Sequence, residues 1–192
     1  YLVQMNKQPH PIRLLTAVPI CDGHDSAINT INLELIRHGI EAVYLGYHRS
    51  ARDIVRAAVQ EDVRAVGISS YNGGHVEFFS EVIDLLRKSG SGHIGVFGGG
   101  GGTITPAAAA AMQKKGVDRI FFAGTPLSQI VKFITDQYGK ARKRLALGPI
   151  RDGFHSDRQI AALLTAAVED MTGRPSEIRN LKSKMVRLRS PQ

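Results

Sequence analysis

The chain begins its first apolar run with Ile12-Arg13-Leu14-Leu15-Thr16-Ala17-Val18 and follows it, two residues later, with Cys21-Asp22-Gly23-His24-Asp25. The first run is typical of a strand buried on both faces of a sheet. The second places hydrogen-bonding and metal-ligand side chains where a helical pattern starts. Ligands of open α/β sheets bind outside the carboxyl ends of the strands. The junction is therefore a candidate ligand site, and a loop in which Asp22 or Asp25 caps the next helix is the alternative.

Apolar runs alternate with amphipathic helical patterns over the first 139 residues. Further strands are predicted at 42–46, 63–69, 94–97 and 117–122. Helices are predicted at 26–38 and 75–88, with three more of which one begins at 50, one begins at 105 and one ends near 138. Five strand–helix units in strict alternation favour a doubly wound parallel sheet with helices on both faces. Right-handed crossovers then place all five strand-to-helix loops at one edge of the sheet.

The loops at this edge are rich in glycine. They include Ser69-Ser70-Tyr71-Asn72-Gly73-Gly74-His75, the five glycines 98–102, and Ala123-Gly124-Thr125. The five-glycine run is not a P-loop, because no Gly-Lys-Ser/Thr follows it, and a dinucleotide fingerprint belongs after the first strand. We interpret the run as the floor of a cavity, since glycine allows close backbone approach. A flexible surface loop is the alternative.

Several polar residues have a simpler interpretation. Ser69 and Ser70 are also typical of a strand end. We interpret His75 as a helix-start residue rather than a second metal ligand, and Asp25 as a helix cap. The remaining histidines lack acidic or cysteine neighbours at metal-site spacing and are interpreted as surface residues: His10, His38, His48, His93 and His155.

A phospho-acceptor receiver domain has the same fold class and was tested against the strand ends. It requires an aspartate at the end of the third strand and a lysine at the end of the fifth. This sequence has Ser69-Ser70 and Phe122-Ala123-Gly124 there. The receiver hypothesis therefore fails at two of its required positions.

Length and composition fit a globular domain of ordinary kind with an extension. The chain has 192 residues, is 43% hydrophobic and contains one cysteine. No apolar run approaches the roughly 18 residues of a membrane span, so we expect no membrane partner. A single cysteine cannot form an internal disulfide, and we expect a cytoplasmic protein.

The basic charge is concentrated at the C-terminal end. Residues 1–139 hold 13 Lys and Arg against 12 Asp and Glu, whereas residues 140–192 hold 12 against 5. We expect 1–139 to form the binding domain and 140–192 a basic helical extension, with helices at 156–171 and 176–188, that links to a following domain. Binding to nucleic acid is the alternative, but the extension has no helix-turn-helix pattern or interleaved aromatic residues.

Three motifs at matching spacing resemble one family. Asp22-Gly23-His24-Asp25 resembles the Asp-x-His-x-x-Gly signature of cobalamin-binding domains in the methylmalonyl-CoA mutase family, with Ala27 at the glycine position. After 41 further residues, Ser69-Ser70-Tyr71 resembles the Ser-x-Leu element, and 26 more lead to the closing glycines. Within the family the loops look most like those of fused isobutyryl-CoA mutases. The resemblance implies a flavodoxin-like, five-stranded parallel sheet.

The resemblance also implies roles for individual residues. His24 would be the lower axial ligand of cobalt, and Asp22 would hydrogen-bond its other ring nitrogen. The nucleotide tail of the cofactor would insert between the loops of the first and third strands, with Ser69 near its benzimidazole. The full set of implied cofactor-binding residues is Asp22, Gly23, His24, Asp25, Ser69, Tyr71, Gly73, Gly74, Gly100, Gly101, Gly102, Gly124 and Thr125.

The function implied by the resemblance is the adenosylcobalamin-binding part of an acyl-CoA mutase, an isomerase that is inactive without its acyl-CoA-binding barrel. The barrel would be a further domain or subunit, and a G-protein chaperone domain would be a second partner. A cobalamin carrier or sensor module without mutase activity is the alternative. A domain of the same fold that binds no cobalamin is a third hypothesis.

Overall fold

The computed structural model describes residues 12–20, 22–23, 26–140, 159–162 and 164–165. The chain divides into two compact units, Tyr1–Ala141 and Arg142–Gln192, and each is treated by itself. In the second unit the described residues, 159–162 and 164–165, are helical and fall within the helix predicted at 156–171. The rest of that helix and the helix predicted at 176–188 lie outside the described residues.

In the described part of the first unit, five strands alternate with five helices. They are β1 (Arg13–Pro19), α1 (Ser26–Arg37), β2 (Glu41–Arg49), α2 (Ala51–Gln60), β3 (Ala65–Ser69), α3 (His75–Lys88), β4 (Gly95–Gly99), α4 (Pro106–Lys115), β5 (Arg119–Phe121) and α5 (Leu127–Tyr138). The strands pair in parallel in the order β2-β1-β3-β4-β5. The predicted flavodoxin-like sheet is confirmed.

Two apolar layers cover the sheet, one on each face. Leu15 of β1 belongs to a buried cluster with residues of α2, α3 and α4, among them Phe79. Its neighbour Leu14 belongs to a second cluster with residues of α1 and α5, among them Leu35 and Ile134. Successive residues of a strand point to opposite faces, so this division places α1 and α5 together on one side. That side forms the wall of the cavity described below.

The boundaries of several strands, and the buried face of one helix, differ from the sequence prediction. Gly98 and Gly99, predicted as loop, belong to β4, because they pair with Ile120 and Phe121 of β5. The observed β3 and β5 are shorter than predicted, and β2 runs on to Arg49 through register shifts against β1. Ile36, predicted on the buried face of α1, is 56% exposed.

The predicted helix starts are confirmed at two positions. Ser50 caps α2 by accepting a hydrogen bond from the amide of Asp53 at 3.1 Å. Thr105 caps α4 by accepting from the amide of Ala108 at 3.2 Å, and Pro106 follows at the first helical position. Such caps satisfy amide donors that have no partner within the helix. In the ranges described here, no helix has the length and apolar character needed to span a membrane.

At the amino edge of the sheet, Tyr138 joins α5 to the strands. The Asp118 carboxylate accepts hydrogen bonds from the Tyr138 hydroxyl at 2.8 Å and from the amide of Val96 at 3.0 Å. Burial, and then the adjacent carboxylate, raise the pKa of Tyr138 above its ordinary value. The hydroxyl therefore stays protonated and remains a donor at any ordinary pH.

We expect Tyr138→Phe to lower the free energy of unfolding by about 1 kcal/mol, the net value of one hydrogen bond. Urea denaturation measures the change. Tyr47→Phe is the matched control, because Tyr47 is 53% exposed. Equal stability of the two variants would contradict a bond that fastens α5.

Candidate functional site

The loops after β1, β3 and β4 meet at the carboxyl edge of the sheet. Ser69, the last residue of β3, pairs with Gly99, the last residue of β4. The amide of Ser70 donates to the carbonyl of Gly99 at 2.8 Å. The sequence motifs that are separated along the chain are therefore brought together at one place, as the crossover rule predicts.

A cavity of about 300 Å³ opens at this edge on the side covered by α1 and α5. The volume lies at the low end of the range for small-molecule sites, roughly 300–1,000 Å³. Its wall is mainly apolar or backbone, with Thr30, Ser69 and Thr125 as the polar exceptions. The lining residues are Ala27, Ile28, Thr30, Ile31, Ile68, Ser69, Phe97, Gly98, Gly99, Gly100, Gly101, Phe121, Phe122, Ala123, Thr125, Leu127 and Ile130.

At the glycines of β4 and of the loop that follows it, the backbone lies in close contact with neighbouring residues. A Cβ on Gly99 would lie 2.7 Å from the Phe121 carbonyl oxygen. A Cβ on Gly100 would clash with the carbonyl oxygen of Ser70 and lie 2.7 Å from the Ile104 side chain. Real Cβ atoms do not approach backbone oxygens so closely. These positions require glycine for the close contact that builds the cavity floor.

Other glycines at the same edge border open space. A Cβ on Gly23, Gly73, Gly74 or Gly124 would have no neighbour within 4 Å. Gly74 has φ +84°, which favours glycine for conformational reasons, whereas Gly23 and Gly73 have no such requirement. The edge is thus bare of side chains at several points.

Asp22 joins the loop after β1 to the loop after β3. Its side chain is fully buried, and its Oδ2 accepts hydrogen bonds from the amide of Tyr71 and, at 3.0 Å, from the amide of Asn72. Its own amide donates to the carbonyl of Pro19 at 3.0 Å. A buried carboxylate needs such donors to offset the loss of water. Asp22 is therefore an anchor of both loops.

Ser70 and His75 form a second buried contact in the loop between β3 and α3. Ser70 is 3% and His75 is 8% exposed. The Ser70 hydroxyl lies 2.9 Å from Nδ1 of His75. Burial lowers the pKa of His75, while the carboxylates of Asp22 and Glu77 act in the opposite direction. The imidazole is consequently neutral at pH 7.

His48 contacts the first loop from β2. Its Nδ1 lies 2.9 Å from the carbonyl oxygen of Ile20, and because a carbonyl only accepts, Nδ1 carries the proton. His48 has φ 57°, a left-handed conformation that is uncommon outside glycine. The side chain is exposed, as predicted. Its link to Ile20 was not predicted.

The predicted site residues separate into three groups. Ser69, Gly100, Gly101 and Thr125 line the cavity. Asp22, Gly23, Tyr71, Gly73, Gly74, Gly102 and Gly124 lie in the edge loops but do not line it. His24 and Asp25 lie outside the described residues. Among the residues that are described, no group of three or more His, Cys, Asp or Glu side chains could hold a metal ion.

Much of the cavity wall was missed by sequence reasoning. Ile28, Ile31, Leu127 and Ile130 come from α1 and α5, and Phe97 comes from β4. Their helical and strand periodicity predicts a buried face, and it does not distinguish a filled core from a cavity wall. Among the described residues, none of those of β1 lines the cavity, and the lining strand residues come from β3 to β5.

Fold and cavity define a parallel α/β domain with a cavity at the carboxyl edge of its sheet. The profile of the B12 binding domain matches residues 12–131. The match covers more than half of the chain. The chain therefore belongs to the B12 binding domain family, and the resemblance drawn from its motifs is confirmed.

Named relatives agree with this assignment. The chain is 50% identical over 110 residues to the fused isobutyryl-CoA mutase of Cupriavidus metallidurans, covering 57% of this chain and 10% of that protein. It is 34% identical over 124 residues to the 2-hydroxyisobutanoyl-CoA mutase small subunit of Aquincola tertiaricarbonis, covering 65% of this chain and 90% of that subunit. The chain thus spans about a tenth of the fused mutases and most of the small subunit.

A solved structure shares the fold. A cobalamin-binding protein from Desulfitobacterium hafniense DCB-2 superposes with a TM-score of 0.57 at 22% identity, covering 66% of this chain and 58% of that one. At this identity the likeness shows the fold alone. It agrees with the parallel sheet and its helical layers.

We expect Gly100→Ala to destabilise the domain by about 2–3 kcal/mol, because the new methyl group must displace backbone at Ser70. Gly73→Ala is the matched control, since its Cβ enters open space, and its change should stay within about 0.5 kcal/mol. Urea denaturation of both variants measures the difference. A tolerated Gly100→Ala would show that the close approach is not required.

Proposed function

We propose that this chain binds adenosylcobalamin, with His24 as the lower axial ligand of cobalt, as the cofactor-binding part of an acyl-CoA mutase. The single observation that carries the proposal is the apolar, glycine-floored cavity beside a carboxyl edge with little side-chain cover. Membership of the B12 binding domain family supports cobalamin. The mutase relatives support the adenosyl form and the isomerase chemistry.

The cavity suits the nucleotide tail. Its apolar lining, which includes Ile28 and Ile31 of α1 and Leu127 and Ile130 of α5, suits an aromatic base. Ser69 supplies a hydroxyl at the wall, and Gly100 and Gly101 supply bare backbone. At about 300 Å³ the cavity is too small for a whole cobalamin. We propose that it holds the tail while the wider ring lies outside, over the edge.

The glycines that border open space support a place for the wide ring. Gly23, Gly73, Gly74 and Gly124 belong to three loops around the edge, and none would bring a Cβ near a neighbour. Side chains at these points would stand in the way of a flat ligand. In this proposal the four positions keep that surface low.

Asp22 would hold the axial ligand in position. A metal-bound histidine usually donates its second ring N–H to a carboxylate, which fixes the tautomer and raises the basicity of the ring. Asp22 is two residues before His24, and the amides of Tyr71 and Asn72 fix its carboxylate. A carboxylate can accept about four hydrogen bonds, so the two hydrogen bonds from backbone amides are compatible with a further one from an imidazole.

When bound, adenosylcobalamin would supply the radical chemistry for a 1,2-rearrangement of an acyl-CoA substrate. The residues of this chain bind the cofactor, orient it and set the environment of the axial ligand. We propose that a separate barrel domain or subunit supplies the acyl-CoA site. Relatives that are named as small subunits support a division of this kind.

The remaining assignments follow from this role. We propose residues 1–139 as the cobalamin domain and the basic residues 140–192 as a link toward the barrel or a G-protein chaperone domain. The single cysteine supports a reducing, cytoplasmic compartment. Isobutyryl-CoA, methylmalonyl-CoA and similar short-chain thioesters are the proposed substrate class.

Absorbance titration tests the cavity as the tail site. Ala27 lines the cavity from the exposed side of α1, so Ala27→Phe should fill the entrance while leaving the core intact. We expect the wild type to bind cobalamin at least tenfold more tightly than cobinamide, which lacks the nucleotide tail. Ala27→Phe should abolish that preference.

Ala107→Phe, on an exposed face of α4, is the matched control and should keep the preference. His24→Ala should still bind the corrinoid, but without the spectrum of nitrogen-coordinated cobalt. Failure of the wild type to bind cobalamin would overturn the proposed function. Binding that ignores Ala27→Phe would overturn the tail site alone.

Reconstitution tests the mutase assignment. We expect the chain alone to show no isomerisation of isobutyryl-CoA in the presence of adenosylcobalamin. Addition of the Cupriavidus metallidurans fused mutase without the region that this chain matches should restore turnover, measured by chromatography of the acyl-CoA products. Cobalamin binding without any restored turnover would favour the carrier or sensor alternative.

A further inference from the structure

The loop between β3 and α3 is closed by a contact between its two ends. The Ser70 hydroxyl and Nδ1 of His75 lie 2.9 Å apart, and both residues are more than nine-tenths buried. Ser70 is also fixed to β4, because its backbone amide donates a hydrogen bond to the carbonyl of Gly99. His75 is the first residue of α3. The contact therefore ties the start of the helix to the end of the sheet.

The two amides that hold Asp22 lie inside this closed loop. Tyr71 and Asn72 are the residues directly after Ser70, and both donate to Oδ2 of Asp22. The direction of a backbone amide depends on the backbone angles of its loop. Gly73 and Gly74 complete the loop, and neither has a side chain that could restrict its backbone. The Ser70–His75 contact thus restricts the part of the loop that carries the donors.

The charge state of His75 is compatible with this contact. The groups that act on it are the carboxylates of Asp22 and Glu77, which favour the charged ring, and burial, which favours the neutral ring and is the larger effect. A neutral imidazole can either accept from the Ser70 hydroxyl or donate to it. A hydrogen bond is therefore available in both tautomers.

We propose that His75, acting through Ser70, is a positioning residue for the axial ligand of the cofactor, because it fixes the amides that hold Asp22. The inference rests on the proposed function, in which Asp22 orients His24. His75 does not itself touch cobalt in this scheme. It sets the geometry of the loop that Asp22 depends on, so it differs from a residue that only fills space.

Matched substitutions separate positioning from packing. His75→Leu retains an apolar side chain of similar bulk but removes the hydrogen bond. His75→Asn restores a polar group near the place of Nδ1, although it is smaller and packs less well. Ser70→Ala removes the other partner. His38→Leu, at the exposed end of α1, is the control for loss of a histidine.

The first measurement needs no cofactor. In two-dimensional NMR spectra of the whole chain, we expect the amides of Tyr71 and Asn72 to exchange slowly with solvent. Exchange should become at least fivefold faster in His75→Leu and in Ser70→Ala, and return to within twofold of the wild type in His75→Asn. Unchanged exchange in both disrupting variants would overturn the proposal, and so would faster exchange in His75→Asn that equals that of His75→Leu.

The second measurement observes the metal. Electron paramagnetic resonance of cob(II)alamin at saturation reports one axial nitrogen as a triplet, which becomes a doublet when the protein carries ¹⁵N-histidine. We expect the ratio of histidine-coordinated to uncoordinated cobalt to fall about fivefold to tenfold in His75→Leu and Ser70→Ala, as for the loss of one hydrogen bond. His75→Asn and His38→Leu should stay within twofold of the wild type.

The two proposals fail in different ways. A wild type without the doublet would overturn His24 as the ligand, whatever the variants show. A wild-type doublet that persists undiminished in His75→Leu and Ser70→Ala would overturn the positioning role and leave the proposed function standing. Since both disrupting variants are compared at full cofactor occupancy, weaker binding alone cannot imitate the loss of coordination.

Discussion

The candidate site depends on one buried carboxylate and on the two backbone amides that donate hydrogen bonds to it. Asp22 follows β1, whereas Tyr71 and Asn72 follow β3, and the hydrogen bonds between them span 49 and 50 residues of sequence. Two loops that would otherwise be independent are thereby held as one surface. Because the carboxylate is fully buried, these hydrogen bonds help to offset its loss of water. The arrangement is strongly determined even though it contains few side chains.

Glycine has two different functions around this anchor. At Gly99 and Gly100 the missing Cβ allows strands and loops to approach closely, so these residues are part of the packing. At Gly23 and Gly73 nothing is near, and the missing Cβ leaves a surface unobstructed. The first kind supports the fold, while the second kind costs conformational entropy without any gain in packing. Glycines of the second kind are therefore the stronger indication of a ligand.

The sequence predicted the fold well because its signals are local. Alternating apolar runs and caps such as Ser50 and Thr105 are encoded within a few residues, and the crossover rule then brings the loops together. The motifs also predicted Ser69, Gly100 and Thr125 near a cavity. The walls on α1 and α5 could not be predicted, because Ile31 and Ile130 have the same periodicity whether they touch the sheet or a void. Long-range bonds such as Ser70–His75 depend on the final packing of the loops.

The cavity leaves the hydrophobic layer between α1 and α5 incomplete. Ile28, Phe97 and Ile130 are buried core residues, and all three also line the cavity. Any group that fills this space would therefore pack against core side chains and cover the apolar wall of the cavity. Filling of this kind produces a negative heat-capacity change, and it raises the melting temperature in proportion to the logarithm of ligand concentration above the dissociation constant. In thermodynamic terms the occupant would act as an interchangeable piece of the protein interior.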